Sequence, residues 1–250
     1  MEELKKCNNL LFFQPEPISQ ELLLTVHTPE MLEEVKYYQN YEPSLYSSYG
    51  CVLAVEKLWE GEFDNAFVFF GCCHHAGPDY AWGGCAISGI GPAIKNLRKK
   101  HNVKKFAILD TDAHHGDGTR AIFKGDKDIL HVCFCGSNRI EDNGTKICIQ
   151  IPGMTTDENY LKLVEEHFIR RVETFGPEMI VHLLGHDTAE GDYGSCGLSN
   201  KFFIELVKMI KNCSRLICND RYVIMTGGGY RCDIAEFIFP EIIKAMAEIS

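Results

Sequence analysis

Short apolar runs of strand length alternate with longer amphipathic stretches along most of the chain. The apolar runs predict strands at 66–71, 105–110, 129–135, 146–151, 179–184 and 222–226. Helical patterns lie near 29–39, 46–59, 87–100, 157–174, 199–214 and 232–248. Several of the predicted strands are continuously apolar, which is typical of strands covered on both faces. The alternation predicts one α/β domain over 1–250, with a mostly parallel sheet between layers of helices.

Four polar segments follow predicted strands directly, and each of them contains glycine. They are Gly71–His75, Asp110–Thr119, Gly185–Asp192 and Gly227–Tyr230. In an open α/β sheet, ligands bind beyond the carboxyl ends of the strands. We therefore expect these four segments to meet at one edge of the sheet and to form the functional site there.

Composition and charge exclude several classes of protein. The chain has 250 residues, with 25 Lys and Arg against 35 Asp and Glu, and a net charge of −10. It lacks the concentrated positive patch that a nucleic-acid-binding protein needs. No apolar run approaches the roughly 20 residues of a membrane helix, and the N-terminus does not have the pattern of a signal peptide. We expect a cytoplasmic protein with neither nucleic acid nor membrane as a partner.

The chain contains twelve cysteines, and most of them lie within apolar runs. Neither Cys72-Cys73 nor Cys133-Phe134-Cys135 has the C-x2-C spacing of a structural zinc site. A reduced cysteine packs as a small apolar residue in such positions. We therefore predict reduced thiols in the core rather than disulfides or a cysteine–metal cluster.

The segment Asp110–Thr119 has the highest density of chemically active side chains. An Asp-x-His pair that leaves a strand, such as Asp112 and His114, can place a carboxylate oxygen and an imidazole nitrogen on one divalent ion. Asp187 follows another apolar run and would be a third ligand, which leaves one coordination position open. The alternative is a set of surface turn residues, but clustered carboxylates are costly without a cation.

His74 and His75 follow a predicted strand, and the carboxylates of Asp110 and Asp117 are available to pair with them. A carboxylate that accepts the far N–H of an imidazole orients the ring and increases its basicity, so one of these histidines could act as a general base. Tyr230 follows three glycines and could donate its hydroxyl to an oxyanion. An aromatic side chain packed over the glycines is an equally good interpretation of Tyr230.

Together these motifs resemble the zinc-dependent histone deacetylase family, which includes acetylpolyamine amidohydrolases and acetoin-utilisation proteins. The matching pieces are CCHHA at 72–76, LDTDAHHGDGT at 109–119, LLGHDT at 183–188 and TGGGY at 226–230. The resemblance implies an arginase/deacetylase-like three-layer fold with a parallel sheet of about eight strands. It also implies an enzyme that hydrolyses an acetyl or related acyl group from an amine, with an acetyl-lysine protein or an acetylpolyamine as substrate.

The resemblance also implies roles for individual residues. Zn²⁺, or alternatively Fe²⁺, would bind to Asp112, His114 and Asp187. His75, oriented by Asp117, would be the general base towards a water molecule that the metal activates, and His74, oriented by Asp110, would assist it. Tyr230 would donate to the oxyanion. A structural K⁺ is expected near Asp110, Asp112 and His114.

The substrate pocket departs from the family pattern. Gly84 or Cys85 stands where members have an aromatic tunnel residue, and 136–146 supplies no aromatic side chain for the opposite wall. We predict a wider pocket, with Gly84, Cys85, Gly228 and Gly229 against the substrate, in which Tyr80 or Trp82 could compensate. Relative to typical members the chain is expected to be shortened at both ends, which would allow a homo-oligomer to complete the rim.

Two other functions remain open at this point. A non-catalytic module could use the same pocket to bind an acyl group or an amine. An arginase-like binuclear manganese hydrolase is disfavoured by two positions. Gly116 stands two residues past His114, and Thr188 and Ala189 follow Asp187, where that site would need further aspartates.

Overall fold

A seven-stranded sheet forms the centre of the protein in the computed structural model, which describes residues 4–71 and 73–249. The strands are β1 (Asn65–Val68), β2 (Phe106–Asp110), β3 (Ile129–Cys135), β4 (Arg139–Glu141), β5 (Lys146–Gln150), β6 (Met179–Leu184) and β7 (Tyr222–Thr226). Their order is β1-β7-β6-β2-β3-β5-β4. Neighbouring strands are parallel except for β4, which runs antiparallel to β5.

Helices cover both faces of the sheet. They are α1 (Gln20–Leu23), α2 (Pro29–Val35), α3 (Tyr41–Glu60), α4 (Ile90–His101), α5 (Asp117–Ile122), α6 (Asp157–Val164), α7 (Arg170–Phe175), α8 (Asn200–Cys218) and α9 (Cys232–Ala247). Buried residues of α2, α3 and α4 form the core on one face, and those of α6 to α9 form the core on the other. The result is the three-layer arrangement that the alternating pattern predicts.

Strand β2 explains why several runs are apolar throughout. Its side chains alternate between the two cores, with Ala107 and Leu109 in one and Phe106 and Ile108 in the other. Every residue of this strand is buried. A central parallel strand therefore needs apolar side chains on both faces. Its sequence does not show the alternation of apolar and polar residues that is typical of a strand with one solvent-exposed face.

The limits of the helices follow from local chemistry. Thr156 begins α6, where its hydroxyl accepts the Asn159 N–H, and Gly176 in the left-handed conformation ends α7. The predicted helix over 157–174 is interrupted by a single π-helical turn at Glu165–Ile169. No helix in the described part of the chain has both the length and the apolar character needed to cross a membrane.

Six strands lie where the sequence predicts them, but α1, β4 and α5 were not predicted, and the sheet has seven strands rather than about eight. Strand β4 has three exposed residues at the edge of the sheet, so it has no apolar pattern to detect. Helix α5 begins inside the Asp- and Gly-rich segment that we assigned to a loop.

Candidate active site

Loops that follow β1, β2, β6 and β7 line a single cavity of about 620 Å³. Pockets of this size accept small molecules. Of the residues predicted from the sequence, its wall contains His74, His75, Gly84, Cys85, Asp112, His114, Gly228 and Gly229. The predicted meeting of the four loops at the carboxyl edge of the sheet is therefore present. The first residue of the CCHHA motif, Cys72, lies outside the described residues.

Asp112, His114 and Asp187 each bring one ligand atom into a common cluster, and these atoms lie within 4.8 Å of one another. The Nδ1 atom of His114 is 3.1 Å from an Asp112 oxygen and 3.0 Å from an Asp187 oxygen. In a tetrahedral zinc site with bonds of about 2.0–2.2 Å, neighbouring nitrogen and oxygen ligands are about 3.4 Å apart. The three side chains are therefore close to the arrangement that a divalent cation requires.

Backbone N–H groups orient both carboxylates. Gly228 donates to Asp112 at 3.0 Å, and Ala113 donates to Asp187 at 3.2 Å. Both carboxylates are buried, whereas the His114 side chain is 44% exposed and opens onto the cavity. Fixed carboxylates and one open side are features of metal sites that also bind a substrate.

The electrostatics of this cluster favour a cation. Burial raises the pKa of Asp187 to about 6, and the nearby Asp112 carboxylate adds to the effect. Hydrogen bonds to Asp112 and Asp187 raise the pKa of His114 to about 10. Without a metal, a proton on His114 thus lies between two carboxylates. A divalent ion would replace that proton and neutralise both charges, so the donor set fits Zn²⁺, and Fe²⁺ accepts the same donors.

His74 and Asp110 form a buried ion pair, with Nδ1 of His74 2.9 Å from a carboxylate oxygen. Burial by itself lowers the pKa of His74, but the charges of Asp110 and Asp112 outweigh it and raise the value to about 10. Burial would raise the pKa of Asp110, yet His74 and His131 hold it well below its usual range. The pair therefore consists of an imidazolium and a carboxylate.

His75 and Asp117 form a second pair, in which Nδ1 of His75 lies 2.6 Å from Asp117. Trp82 donates its indole N–H to the other Asp117 oxygen at 2.9 Å. The Trp82 ring also packs on His75, with 4.0 Å between the ring centroids. The carboxylate and the indole together fix the orientation of the His75 ring.

The two imidazoles contact each other through their Nε2 atoms, which are 3.1 Å apart. Each Nδ1 donates to a carboxylate, so these Nε2 atoms can hydrogen-bond only if one of them carries a proton. The imidazolium is His74, because its pKa is raised. His75 Nε2 is then a hydrogen-bond acceptor at the cavity wall, as a general base requires.

Close backbone approach explains the glycines after β7. A Cβ atom at Gly228 would lie 2.2 Å from an Asp112 carboxylate oxygen, and one at Gly229 would lie 2.3 Å from the His186 ring. Gly229 also has a φ of 127°, which other residues rarely adopt. The Asp192 carboxylate holds the end of this loop by accepting the N–H groups of Tyr230 and Arg231.

Aromatic walls of the cavity come from Phe70, Trp82 and Tyr193. Tyr193 stacks on His114 with 5.4 Å between the ring centroids, and its hydroxyl accepts the Gly229 N–H at 3.3 Å. Trp82 was a candidate from the sequence, but Tyr193 was missed. The sequence feature that points to Tyr193 is an aromatic side chain in the loop that contains Asp187. Asp192 was missed as well, because an acidic residue in a loop carries no distinctive pattern.

Tyr230 lies apart from the other predicted catalytic residues. Its side chain is 63% exposed and does not belong to the cavity wall, whereas His74 and His75 do. Its ring centroid is 6.0 Å from that of Tyr193. The glycine loop therefore brings two tyrosines close together, of which Tyr193 lines the cavity.

Comparison with known proteins identifies the family. The histone deacetylase domain matches residues 1–246. The chain belongs to the histone deacetylase family. It is 28% identical to a histone deacetylase-like amidohydrolase of Pseudomonas aeruginosa, over 93% of this chain and 70% of that protein. It is 27% identical to a probable deacetylase of Archaeoglobus fulgidus, over 98% of this chain and 77% of that protein.

The fold of this histone deacetylase family member agrees with a solved structure. The crystal structure of the HDA15 HD domain matches with a TM-score of 0.82 at 21% identity, covering 94% of this chain and 74% of that one. The family predicted from the four motifs is thus confirmed, and so is the deacetylase-like α/β fold class. Its relatives are deacetylases and amidohydrolases, which places this chain in a family of hydrolases.

Proposed function

We propose that this member of the histone deacetylase family is a zinc-dependent amidohydrolase that removes an acetyl or related acyl group from an amine. The observation that carries the proposal is the meeting of two groups of residues in one cavity. These are the donor set of Asp112, His114 and Asp187 and the pair of His74 and His75. A metal site with an open side next to a general base is suited to metal-assisted hydrolysis.

Asp112, His114 and Asp187 would hold Zn²⁺, with Fe²⁺ as the alternative. When bound, the ion supplies Lewis acidity, which polarises an amide carbonyl and acidifies water. The His114 side of this donor set opens onto the cavity, so a substrate would reach the ion from there. The K⁺ expected near Asp110, Asp112 and His114 stays a prediction, and no step of the proposed reaction uses it.

His75 moves the protons in the proposed reaction. The attacking water takes the place of His74 as the hydrogen-bond donor to His75 Nε2, and its proton passes to that atom. Asp117 holds the Nδ1–H and stabilises the imidazolium that forms. His75 then gives the proton to the amine nitrogen as the C–N bond breaks. The water oxygen has by then formed the new C–O bond, so the first products are a carboxylic acid and an amine. The acid proton then passes to the amine or to solvent, which leaves a carboxylate and an ammonium group.

The negative charge on the substrate oxygen needs its own partners. His74 carries a positive charge within the cavity wall and stabilises the developing oxyanion electrostatically. We assign the direct hydrogen bond to the Tyr230 hydroxyl. Tyr193 lines the cavity and stacks on His114, so it is the competing donor that the experiment has to separate from Tyr230.

The shape of the cavity supports an acylated alkylamine as the substrate class. Trp82 and Tyr193 offer aromatic faces, which bind alkyl chains and cationic amines well. Gly84 and Cys85, which also line the cavity, have small side chains that leave space for the substrate. We therefore keep acetyl-lysine protein and acetylpolyamine as the two candidate substrates.

Compartment and assembly are further parts of the proposal. We place the chain in a reducing compartment such as the cytosol, because most of its twelve cysteines lie within apolar runs, where reduced thiols pack as small apolar side chains. Light scattering of the purified chain tests the proposed homo-oligomer, because a dimer or tetramer has a multiple of the 28.3 kDa chain mass.

The experiment is a deacylation assay of zinc-loaded protein. The panel contains acetyl-lysine peptide, acetylputrescine, acetylspermidine and longer acyl-lysines. We expect His75→Ala to lower kcat/KM by about 10²–10⁴ without loss of metal, because the proton transfer is removed. Tyr230→Phe and Tyr193→Phe are compared at the same metal content. The larger loss of kcat identifies the tyrosine that donates to the oxyanion.

Two outcomes would count against the proposal. A folded protein that binds one metal but turns over no substrate with zinc or iron would favour the non-catalytic binding module. Turnover that is unchanged in His75→Ala would show that the assigned base does not take part. Circular dichroism of each variant excludes misfolding as the cause of a loss.

A further inference from the structure

A buried thiol cluster lies beside the loop that follows β2. Cys133 and Cys135 lie on β3, and Cys148 lies on β5, where it pairs directly with Cys133. Side chains two residues apart on a strand share a face, so the three sulfur atoms gather on one side of the sheet. His115 reaches this cluster from the loop, and its Nδ1 atom faces the sulfur atoms.

We propose that the cysteines of this cluster and His115 bind a zinc ion at a second site, separate from the carboxylate donor set. The proposed ligands are Cys133, Cys135, Cys148 and the Nδ1 atom of His115. Three thiolates and one imidazole form a complete tetrahedral set, which is typical of structural zinc. This inference does not depend on the proposed deacylase activity.

The distances between the donor atoms support the proposal. Nδ1 of His115 lies 3.4 Å from Cys148 Sγ and 3.9 Å from Cys135 Sγ. Donor atoms of His115, Cys133 and Cys135 lie within 4.8 Å of one another. In a tetrahedral site with Zn–S bonds of about 2.3 Å and Zn–N bonds of about 2.0–2.1 Å, nitrogen and sulfur are about 3.6 Å apart. The two measured N···S distances lie on either side of that value.

The surroundings suit thiolate ligands. The three cysteines are at most 2% exposed, which excludes water from the sulfur atoms. The Arg120 guanidinium donates to Cys148 Sγ at 3.3 Å and offsets part of the negative charge. His115 is half-buried, so an ion can enter from its side of the cluster.

Apolar packing alone accounts for only part of this arrangement. Three neighbouring reduced cysteines can pack as small apolar side chains. Packing does not account for an imidazole nitrogen that converges on two of the sulfur atoms. A bound ion would also act on the neighbouring site, because its ligand His115 directly follows His114 in the chain. The ion would thereby hold the backbone that positions His114.

Cobalt spectroscopy tests the proposal on the unaltered protein. The chain is prepared reduced and free of metal, and Co²⁺ is added. Cobalt bound to thiolates gives strong sulfur-to-metal charge-transfer absorption in the near ultraviolet, whereas oxygen and nitrogen donors do not. We expect this absorption to saturate between about one and two equivalents per chain, because the carboxylate donor set also takes Co²⁺. It should disappear when Zn²⁺ is added, because zinc takes the same ligands.

Variants then assign the site. We expect Cys135→Ser and Cys148→Ser to abolish the charge-transfer absorption and to lower the zinc content from about two ions per chain to about one. Asp187→Asn should remove the other ion and keep the absorption. Cys213→Ser, which alters a buried thiol on α8, is the matched control and should change neither quantity.

The proposal is overturned if folded, reduced protein shows no thiolate absorption with Co²⁺. Absorption that persists in both serine variants would overturn it as well, since the ligands would lie elsewhere. The cobalt titration of the unaltered chain decides the question even if a serine variant fails to fold.

Discussion

His114 and His115 are neighbours in the chain, but their rings belong to two different clusters. The Nδ1 atom of His114 lies between the carboxylates of Asp112 and Asp187, and its ring lines the cavity. The Nδ1 atom of His115 faces the buried sulfur atoms of Cys135 and Cys148. One dipeptide that follows β2 therefore contributes an imidazole to each of two donor sets.

The origin of the other donors explains why one set is open and the other closed. Asp112 and Asp187 lie past the carboxyl ends of β2 and β6, at the edge of the sheet where the cavity forms. The cysteines lie within β3 and β5, where neighbouring strands and helices cover them. A site built from strand ends can admit a substrate, whereas a site built from strand interiors can only hold its ion.

The largest effect is expected from replacing the two histidines one at a time. His114→Ala should lower kcat/KM for the best substrate by more than about 10² and remove one ion, because a ligand is lost. His115→Ala should abolish the cobalt–thiolate absorption, while kcat/KM in excess zinc stays within about tenfold of the unaltered protein. Steady-state kinetics and zinc content per chain are measured on both variants.

His167→Ala serves as the control, because this histidine lies on the π-helical turn and contacts neither cluster. It should leave the metal content and the activity unchanged. The distinction between the clusters fails if His115→Ala loses as much activity as His114→Ala while the carboxylate site still holds its ion.

A smaller effect on kcat/KM is expected from replacing Asp117, because this residue acts on the reaction only through His75. Asp117→Asn should lower kcat/KM by about 10–100-fold, as is typical when the carboxylate partner of a functional histidine is removed. The loss should appear in kcat more than in KM, because proton transfer by His75 slows while substrate binding is unchanged. The measurement is kcat and KM at constant metal content.

Asp117→Glu is the matched variant, since it keeps the charge and should restore part of the rate. If Asp117→Asn raises KM and leaves kcat unchanged, Asp117 supports only the local structure, through His75 and the Trp82 indole.

Much of the fold and of the carboxylate site could be predicted from the sequence, because each signal was local. Continuously apolar runs marked β2, β3 and β6, since central parallel strands are buried on both faces. Asp112 and His114 lie together in one short motif after a strand. Strand β4 escaped prediction, because three exposed residues at an edge follow no pattern.

The thiol cluster and Tyr193 could not be predicted, because their neighbours come from distant parts of the chain. The spacing of Cys133 and Cys135 argued against a zinc site, but that rule applies to ligands on a tight turn. On a strand, alternate residues share a face, and the partners Cys148 and His115 are supplied by strand pairing and by a loop. Tyr193 needed the same kind of information, since only the fold stacks it on His114.

The smallest effect is expected at the opposite edge of the sheet, where charged groups should affect stability but not the reaction. Arg98 donates to the Asp126 carboxylate just before β3. Burial would raise the pKa of Asp126, but the hydrogen bonds and charge of Arg98 outweigh it and lower the value. The ionised carboxylate therefore stabilises the fold above its unfolded pKa of about 3.9, and this contribution is lost as the pH falls through the lowered folded value.

Asp126→Asn should reduce the free energy of unfolding by about 1 kcal/mol at pH 7, and the difference should shrink below about pH 4. Urea unfolding at several pH values measures this, and the deacylation assay provides the second readout. The rate should stay unchanged, because Asp126 lies at the amino end of β3, whereas both donor sets lie towards the carboxyl ends of the strands or within them. A loss of activity with unchanged stability would mean that a charge at the amino edge of the sheet affects the reaction. The assignment of stability to the amino edge and of catalysis to the carboxyl edge would then be wrong.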